Sequence, residues 1–238
     1  MKLTDIKNGN LSAEWAEKGY ELPKFDVEAV KAKTHAEPTW VHFGAGNIFR
    51  AFPAAVLNDA LNSGKYDRGV IVAESFDYEI IDKAYRPYDN MSLLVCLKST
   101  GDIEKKVVAS VTESLKADPS FTEDWARLVE IFQNPSLQMI SFTITEKGYA
   151  LYRPDGSCLP PRQAVEKMLA GIEAIAAQCS HLIIVSNEVF SGGVDYAGET
   201  DLYLQALAMV NNAVAAKADA VCRVVCGLPV YYKGGERP

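Results

Sequence analysis

Residues 39–50 read TWVHFGAGNIFR, and this stretch decides the fold. The apolar run from Thr39 to Phe43 predicts a buried strand, and Gly44 and Gly46 follow it at once. Residues 47–62 carry apolar side chains near helical spacing, which predicts a helix. A strand, a tight glycine turn and a helix in that order are typical of a loop that binds phosphate groups, because the first helical N–H groups have no partner within the helix.

The same loop has a plainer interpretation, which stays open. Phe49 stands where the third glycine of a dinucleotide-binding loop is usual, so the sequence is a G-x-G without its last member. A bare G-x-G also occurs in ordinary strand-to-helix turns. The spacing alone therefore does not separate a cofactor loop from a structural turn.

An acidic residue ends the next apolar run. Residues 69–73 read GVIVA and predict a second buried strand, which Glu74 ends, with Asp77 close behind. A carboxylate at that position can accept both ribose hydroxyls of a dinucleotide, which favours NAD over NADP. The alternative is an acidic side chain that is merely solvated at a strand end.

The rest of the chain alternates short apolar runs with amphipathic stretches. Residues 1–38 are polar and predict a loop-like arm that packs on the domain. Further strands are predicted at 91–98, 105–112, 137–143, 181–186 and 220–226. Further helices are predicted at 78–85, 121–133, 163–178 and 199–217. The prolines and glycine of YRPDGSCLPP, residues 152–161, predict a linker.

Strands that alternate with helices predict an α/β fold. We expect a doubly wound, mostly parallel sheet of the Rossmann type, followed by a smaller α/β tail that extends this sheet or packs beside it. The predicted domains are residues 1–157, which bind NAD, and residues 158–238, which form the tail.

Composition limits the classes of partner. Charged residues make up 23% of the 238 residues, and the net charge is −7. Nucleic acid is not an expected partner, because binding a phosphate backbone requires clustered Lys and Arg and the sequence has no basic stripe. A membrane is not expected either, because no apolar run is long enough to span one and the first ten residues lack an apolar signal core.

The cysteines favour a reducing compartment. The five cysteines are Cys96, Cys158, Cys179, Cys222 and Cys226. They are scattered and lack metal-ligand spacing, so we expect reduced, buried thiols in a cytoplasmic protein and no metal site.

Two motifs together resemble one enzyme family. WVHFGAGNIFRAF, residues 40–52, resembles the phosphate loop of the long-chain polyol-specific dehydrogenases, which include mannitol dehydrogenase, fructuronate reductase and tagaturonate reductase. SFTITEKGY, residues 141–149, resembles the second hallmark of that family. The likeness covers residues 1 to about 157, and the uronate reductases are the most similar members. It implies an oxidoreductase that transfers hydride between NAD(H) and a small-molecule sugar acid or polyol.

The resemblance also implies site residues. The diphosphate of NAD would lie against the loop of Gly44, Ala45, Gly46, Asn47, Ile48, Phe49 and Arg50, with Arg50 near the cofactor or the substrate. The nicotinamide side would be formed by Thr143, Thr145, Glu146 and Lys147. Two alternatives stay open, because Arg50 is equally a surface cation of its helix and Thr143 equally a strand residue of the core.

No catalytic residue can be assigned. The resemblance implies a lysine acid/base in a second, mainly helical domain, within a Lys-x4-Asn-x2-His arrangement. The only histidines are His35, His42 and His181, and no lysine past residue 150 has Asn and His at those offsets. We therefore expect weak or no turnover by this chain, unless a partner subunit completes the site.

The tail resembles a different family. Residues 163–235 resemble the C-terminal part of an adenosylcobinamide kinase/guanylyltransferase. The matching residues are Ser186, Asn187, Glu188, Val189, Asn211, Ala215, Ala218, Asp219, Gly227, Pro229 and Lys233. That family needs a G-x-x-x-x-G-K-S/T phosphate loop, which these 238 residues lack. Asn187 and Glu188 are then remnants of a site or a polar pair that caps a turn.

Three hypotheses follow from these resemblances. The first is an NAD(H)-binding oxidoreductase domain that is incomplete for catalysis, in a fusion of two fragments. The second is a fragment of a cobalamin-pathway transferase. The third is a non-catalytic dinucleotide-binding module, and Lys147, Tyr149, Glu188 and Lys233 are the ionisable residues to inspect near the nicotinamide ring. A homo-oligomer and a missing partner subunit both stay open.

Overall fold

A computed structural model describes residues 2–7, 9–144, 157, 159–193 and 197–235. The chain divides into two compact units, Met1–Thr145 and Glu146–Pro238. The functional boundary after residue 157 stays a prediction.

The first unit contains five α-helices and seven strands in its described part. The helices are α1 (Gly9–Glu17), α2 (Val27–Ala36), α3 (Asn47–Ala51), α4 (Pro53–Asn62) and α5 (Thr122–Gln133). The strands are β1 (Tyr20–Glu21), β2 (Trp40–Phe43), β3 (Val70–Glu74), β4 (Ser92–Leu97), β5 (Ile103–Val108), β6 (Val111–Lys116) and β7 (Met139–Phe142). Short 3-10 and π-helical turns occupy Leu3–Lys7, Ile81–Tyr85 and Arg86–Tyr88.

The central sheet of the first unit is fully parallel. Its order is β6-β3-β2-β7, and β2 lies between β3 and β7. Numbered by chain order within the sheet, this is 3-2-1-4, the order of one half of a Rossmann sheet plus the next strand. The predicted α/β fold with a mostly parallel sheet is thereby confirmed for this unit.

Strand β3 shows why the sheet has helices on both faces. All five of its residues are buried, which is typical of a parallel strand covered on both sides. Val70 and Val72 pack into one apolar cluster with residues of α4, whereas Ile71 and Ala73 pack into another with Leu128 of α5. The alternation of side chains along a strand therefore places α4 and α5 on opposite faces.

The predicted helix over residues 47–62 is wrong in one respect, because it is broken into α3 and α4. Pro53 is the first residue of α4, and Phe52 before it has φ −122° and ψ −74°. A proline disfavours helical backbone in the residue that precedes it. The break is therefore caused by Pro53, and a prediction based only on the spacing of apolar residues does not take this proline into account.

The predicted strand over residues 105–112 is also two strands. β5 pairs with β4 and β1 in a separate three-stranded sheet, and β6 pairs with β3 in the central sheet. Between them, the Ala109 N–H donates to Asn58 Oδ1 (2.9 Å) and Ser110 Oγ donates to the Ala54 carbonyl oxygen (2.6 Å). Two bonds to α4 thus fix the chain where it changes sheets.

The loop-like arm predicted over residues 1–38 is wrong, because this region is largely helical. The Asp26 side chain accepts a hydrogen bond from the Ala29 N–H and caps the start of α2. Trp15 of α1 is buried and packs with Met91 and Val107. The amphipathic spacing is weak here, and tertiary packing supplies the stability of these short helices.

The second unit consists of two helices and a hairpin in its described part. Helices α6 (Pro161–Ala176) and α7 (Glu199–Lys217) lie beside each other, and Lys217 pairs with Glu173 between them. Strands β8 (Val221–Val225) and β9 (Leu228–Lys233) pair antiparallel in a sheet of their own. These two strands do not pair with the central sheet, so of the two arrangements left open by the sequence, extension of that sheet does not occur among the described strands.

Two details of the tail differ from the prediction. Cys226 (φ 50°) and Gly227 (φ 83°) form the two-residue turn between β8 and β9, and positive φ at both positions is what a tight hairpin requires. The strand predicted over residues 181–186 is absent, with Ile183 87% and Val185 92% exposed. An extended segment becomes a strand only when a neighbouring strand pairs with it, and none of the described strands does.

The described cysteines are free thiols, but the prediction that they are buried is wrong. Cys179, Cys222 and Cys226 are exposed, and Cys96 is partly exposed. Three of the four lie in the second unit, where the hairpin is mostly exposed. Cys158 lies outside the described residues.

Candidate functional site

The glycine loop lies at the point where the direction of winding of the central sheet reverses. Residues 44–46 join the carboxyl end of β2 to α3, and Thr143 follows the carboxyl end of the neighbouring strand β7. Because β2 and β7 are parallel, both segments lie at one edge of the sheet. Open α/β sheets bind their ligands in the crevice at such a switch point.

Gly44 closes the loop against Thr143. Its φ of 113° is a conformation that favours glycine, and its N–H donates to the Ala73 carbonyl oxygen (2.9 Å). A Cβ at this position would overlap Thr143 Oγ1 and lie 3.1 Å from the Thr143 carbonyl oxygen. The fold itself therefore requires a glycine here.

Gly46 has no such requirement. It caps α3 with φ −72° and ψ −179°, which any residue can adopt. A Cβ at Gly46 would meet no atom of the described residues within 4 Å. The side chain of the next residue, Asn47, is exposed as well. The start of α3 is thus open, and its first N–H groups face no side-chain cap.

The other loop residues divide between core and surface. The side chains of Ala45 and Phe49 are fully buried, whereas Ile48 is 69% exposed. The Phe49 ring stacks on the His42 ring with centroids 4.1 Å apart. Phe49 can therefore face a ligand through its backbone only. The large side chain fits at this position of the loop because its ring is packed in the core.

Arg50 places a positive charge beside the loop. Its guanidinium donates to Asn47 Oδ1 and lies 5.7 Å from the centroid of the Tyr85 ring. A depression of about 270 Å³ is lined by Asn47, Arg50, Ala51 and residues 92–95 of β4. Another depression, of about 420 Å³, lies against the β1-β5-β4 sheet, away from the loop.

Glu74 holds the loop from the second strand. Its Oε2 accepts a hydrogen bond from the Ala45 N–H (2.8 Å), and its Oε1 accepts from the Phe76 N–H (2.9 Å) and the Asp77 N–H (3.2 Å). The side chain is therefore a buried brace and not the freely solvated acid of the alternative interpretation. Asp77 itself is exposed.

The structure brings together the two glycines, Glu74 and Thr143 of the predicted site. The other predicted residues of the nicotinamide side, Thr145, Glu146 and Lys147, lie outside the described residues, as does Tyr149. Among the residues that are described, no group of three or more His, Cys, Asp or Glu side chains could hold a metal ion. No helix in this part of the chain is long and apolar enough to cross a membrane.

Sequence reasoning missed His42, Ser141 and Tyr85. The Tyr85 hydroxyl donates to the Ala45 carbonyl oxygen (2.8 Å), and burial raises the pKa of Tyr85. His42 lies inside β2 and contacts Ser141 Oγ (2.7 Å) and Thr143 Oγ1 (3.2 Å) through its two ring nitrogens. A histidine within an apolar strand is the sequence feature that could have identified His42. The sequence around Tyr85 has no comparable feature.

The motif residues of the tail form a small polar cluster. Ser186 Oγ donates to Asn211 Oδ1 (2.8 Å), and Arg223 donates to Glu188 Oε2 (2.9 Å). Lys233 Nζ donates to the Ala216 carbonyl oxygen near the end of α7 (3.0 Å). Glu188 and Lys233 thus hold parts of the tail together, and all of these contacts lie at the surface.

Replacing Glu74 with glutamine is expected to lower the free energy of unfolding of the first unit by about 1–2 kcal/mol, because an amide N–H₂ would then face a backbone N–H. The measurement is chemical denaturation followed by tryptophan fluorescence, since all three tryptophans lie within residues 1–145. Glu79→Gln is the matched control, because Glu79 is exposed and its carboxylate pairs with Lys83 at the surface. Equal stability of the two variants would contradict the bracing role.

Curated relatives match the front of the chain. A D-mannonate oxidoreductase from Thermotoga maritima is 53% identical over 159 residues, which are 67% of this chain and 29% of that protein. An uncharacterized oxidoreductase, YeiQ, from Escherichia coli is 26% identical over 54% of this chain and 24% of that protein. A mannitol 2-dehydrogenase from Cereibacter sphaeroides is 28% identical over 53% of this chain and 25% of that protein. The chain thus spans less than a third of the length of these relatives.

Solved structures match the same part. A D-sorbitol dehydrogenase in substrate-free form has a TM-score of 0.46 and 23% identity, over 65% of this chain and 30% of that one. A Pseudomonas fluorescens mannitol 2-dehydrogenase, in a ternary complex with NAD and D-mannitol, has a TM-score of 0.46 and 24% identity, over 64% of this chain and 29% of that one.

A family profile matches the second half of the chain and overlaps the first unit. Residues 108–232, just over half of the chain, match the family described as cobinamide kinase / cobinamide phosphate guanyltransferase. The match begins in β5 and includes the polar cluster of the tail. The chain therefore belongs to the cobinamide kinase / cobinamide phosphate guanyltransferase family through residues 108–232, while its front part is similar to sugar-acid and polyol dehydrogenases.

Proposed function

We propose that the first unit binds NAD(H) at the switch point, and that the protein transfers hydride between NAD(H) and a sugar acid or polyol. The observation that carries this proposal is the contrast between the two loop glycines. The fold explains Gly44, whereas a Cβ at Gly46 would meet no atom of the described residues within 4 Å. A glycine at position 46 is explained if a ligand approaches the backbone there. The likeness to a D-mannonate oxidoreductase and a mannitol 2-dehydrogenase supports the substrate class.

The described residues fit a dinucleotide. The N–H groups at the start of α3 would hold the diphosphate, with Gly46 allowing its close approach and Arg50 adding a positive charge. Glu74 receives three backbone N–H bonds, and because a carboxylate offers about four acceptor sites, one remains for a ribose hydroxyl. The exposed Asp77 adds a second acid there, which disfavours the 2′-phosphate of NADP.

The chemistry on the nicotinamide side involves Thr143 together with residues outside the described part. The cofactor, when bound, supplies or accepts the hydride, and the protein must position the substrate and move one proton. Thr143 supplies a hydroxyl at the switch point, and Thr145, Glu146 and Lys147 follow it in the sequence. The proton-transferring group stays unassigned, so a partner subunit or a homo-oligomer is part of the proposal for the complete site.

A cytoplasmic location is also part of the proposal, because the free thiols of the described cysteines suit a reducing compartment.

NADH titration tests the proposal. We expect saturable quenching of tryptophan fluorescence by NADH, with NADPH at least about tenfold weaker because its extra phosphate would meet Glu74 and Asp77. Gly46→Val should weaken NADH binding about tenfold or more while leaving the chain folded, because a Cβ at this position meets no described atom within 4 Å. Gly171→Val is the control for a glycine replacement that spares binding, because Gly171 lies in α6, has no positive φ and also meets no described atom within 4 Å.

Absence of saturable binding by the folded chain, or equal binding by Gly46→Val, would contradict a cofactor site at this loop. A turnover assay with fructuronate or tagaturonate accompanies the titration. We expect little or no oxidation of NADH by the purified chain, and rapid oxidation would show that the acid/base group is present after all.

A second candidate function rests on the family match over residues 108–232. It is the kinase and guanylyltransferase activity of that family, carried by the polar cluster of Ser186, Glu188, Asn211 and Arg223. The sequence lacks the G-x-x-x-x-G-K-S/T loop that would hold the β- and γ-phosphates of a nucleoside triphosphate. Saturable GTP binding that is lost on Arg223→Gln would favour this second function.

A further inference from the structure

Four side chains of neighbouring strands form one hydrogen-bonded series. Trp40 Nε1 donates to Ser141 Oγ (2.7 Å), and Ser141 Oγ contacts His42 Nδ1 (2.7 Å). His42 Nε2 contacts Thr143 Oγ1 (3.2 Å). Because Trp40 pairs with Met139 and His42 with Ser141 in the register of β2 and β7, the series runs along the sheet toward the switch point.

The first member settles the direction of one bond in the series. An indole N–H can only donate, so Ser141 Oγ must accept from Trp40. If Ser141 then donates its hydrogen to His42 Nδ1, His42 carries its proton on Nε2 and donates it to Thr143 Oγ1. Every group in this arrangement accepts from one neighbour and donates to the next, and such head-to-tail series strengthen each of their bonds. The hydrogen that is left over belongs to the Thr143 hydroxyl.

We infer that His42 is a positioning residue, held neutral as the Nε2–H tautomer, which turns the Thr143 hydroxyl so that its hydrogen is presented to an acceptor oxygen of the bound dinucleotide. The inference rests on the proposed function for the identity of that ligand. His42 does not touch the ligand itself, since it is 2% exposed and its ring is covered by Phe49. It acts through Thr143, which lies against Gly44 of the loop.

The surroundings of His42 keep its ring neutral. Burial lowers the pKa of His42 to about 4, although the carboxylate of Glu74 acts in the opposite direction. A protonated ring would have to donate from both nitrogens, which would reverse the Ser141 bond. The neutral ring is therefore what makes a fixed direction of donation available.

Nitrogen NMR of the full chain, labelled with ¹⁵N-histidine, tests the tautomer directly. We expect the ring nitrogens of His42 at pH 7 to show a neutral imidazole with its proton on Nε2. The signals are assigned by their loss in His42→Gln. An Nδ1–H tautomer, or a doubly protonated ring, would overturn the inference whether or not the chain binds NADH.

NADH affinity tests the connection to the ligand. Thr143→Ser should bind within about threefold of the unchanged chain, and Thr143→Val should bind about tenfold more weakly because it lacks the hydroxyl. In the same way, His42→Gln retains a donor where Nε2 lies and should bind nearly normally, whereas His42→Asn reaches only Ser141 and should bind about tenfold more weakly. A merely structural role would weaken folding in both His42 variants without this split.

The outcomes separate the two proposals. If the unchanged chain binds NADH and the paired variants bind alike, the inference is overturned while the proposed function stands. If the unchanged chain does not bind NADH, the proposed function fails and the inferred ligand fails with it, while the NMR result still decides the direction of the series. Denaturation followed by tryptophan fluorescence confirms that each variant is folded before its affinity is compared.

Discussion

Replacing Gly44 with alanine is expected to lower the free energy of unfolding of the first unit by about 3 kcal/mol or more. Two costs add together at this position. The φ of 113° is strained for any residue with a Cβ, and the new Cβ would overlap Thr143 Oγ1 and crowd the Thr143 carbonyl oxygen. Thr143 cannot retreat easily, because its N–H is bonded to the Phe43 carbonyl oxygen (3.0 Å) within the sheet.

Two control variants separate these costs. Gly101→Ala has a positive φ of 91° but no described atom within 4 Å of its Cβ, so it should cost only about 1 kcal/mol. Gly46→Ala has neither strain nor overlap, and it should change stability by less than about 0.5 kcal/mol. The measurement is chemical denaturation with tryptophan fluorescence. A Gly44→Ala variant as stable as Gly101→Ala would mean that the loop is not packed against Thr143.

Lowering the pH should destabilise the first unit already at pH values above those at which ordinary carboxylates become protonated. Burial holds the pKa of His42 at about 4 in the folded chain, against 6.5 for an ordinary histidine. Between these values the unfolded chain binds a proton that the folded chain does not, so stability rises with pH. The contribution is complete above pH 6.5 and is lost as the pH falls toward 4. Between pH 7 and pH 5 the free energy of unfolding should fall by about 2 kcal/mol.

His42→Phe is the variant that removes this dependence. Phenylalanine retains an aromatic ring to stack on Phe49 but cannot titrate, so the stability of this variant should vary much less between pH 7 and pH 5. His181→Gln is the matched control, because His181 is an exposed residue of the second unit and its loss should leave the dependence intact. If His42→Phe kept the full dependence, another group would be responsible for it.

Much of the candidate site could be predicted from residues 39–50. The apolar run, the two glycines and the following helix identified the loop, and the acid at the end of GVIVA identified Glu74. Local patterns carry this information because a strand and a helix each have their own period of apolar side chains. The series from Trp40 to Thr143 could not be predicted in the same way. It depends on which residue of β7 lies opposite which residue of β2, and register is set by the pairing of distant segments.

The errors have a common physical origin. Residues 105–112 carry one continuous strand-like pattern, yet hydrogen bonds of Ala109 and Ser110 to α4 hold the chain where it passes from one sheet to another. Residues 181–186 have a strong strand pattern, yet none of the described strands pairs with them. In both cases the local sequence favours a strand. Whether the strand forms, and in which sheet, depends on the segments that pair with it in the folded chain.

The sequence by itself determined the α/β class of the first unit, its glycine loop and its likeness to two families, because these depend on side chains that are neighbours along the chain. Only the tertiary structure decided that Gly44 is required by the fold and Gly46 is not, that Glu74 braces the loop, and that His42 reaches Thr143. Each of these depends on contacts between strands or loops far apart in sequence. Such contacts exist only once the parallel sheet has assembled and its side chains have been brought within bonding distance.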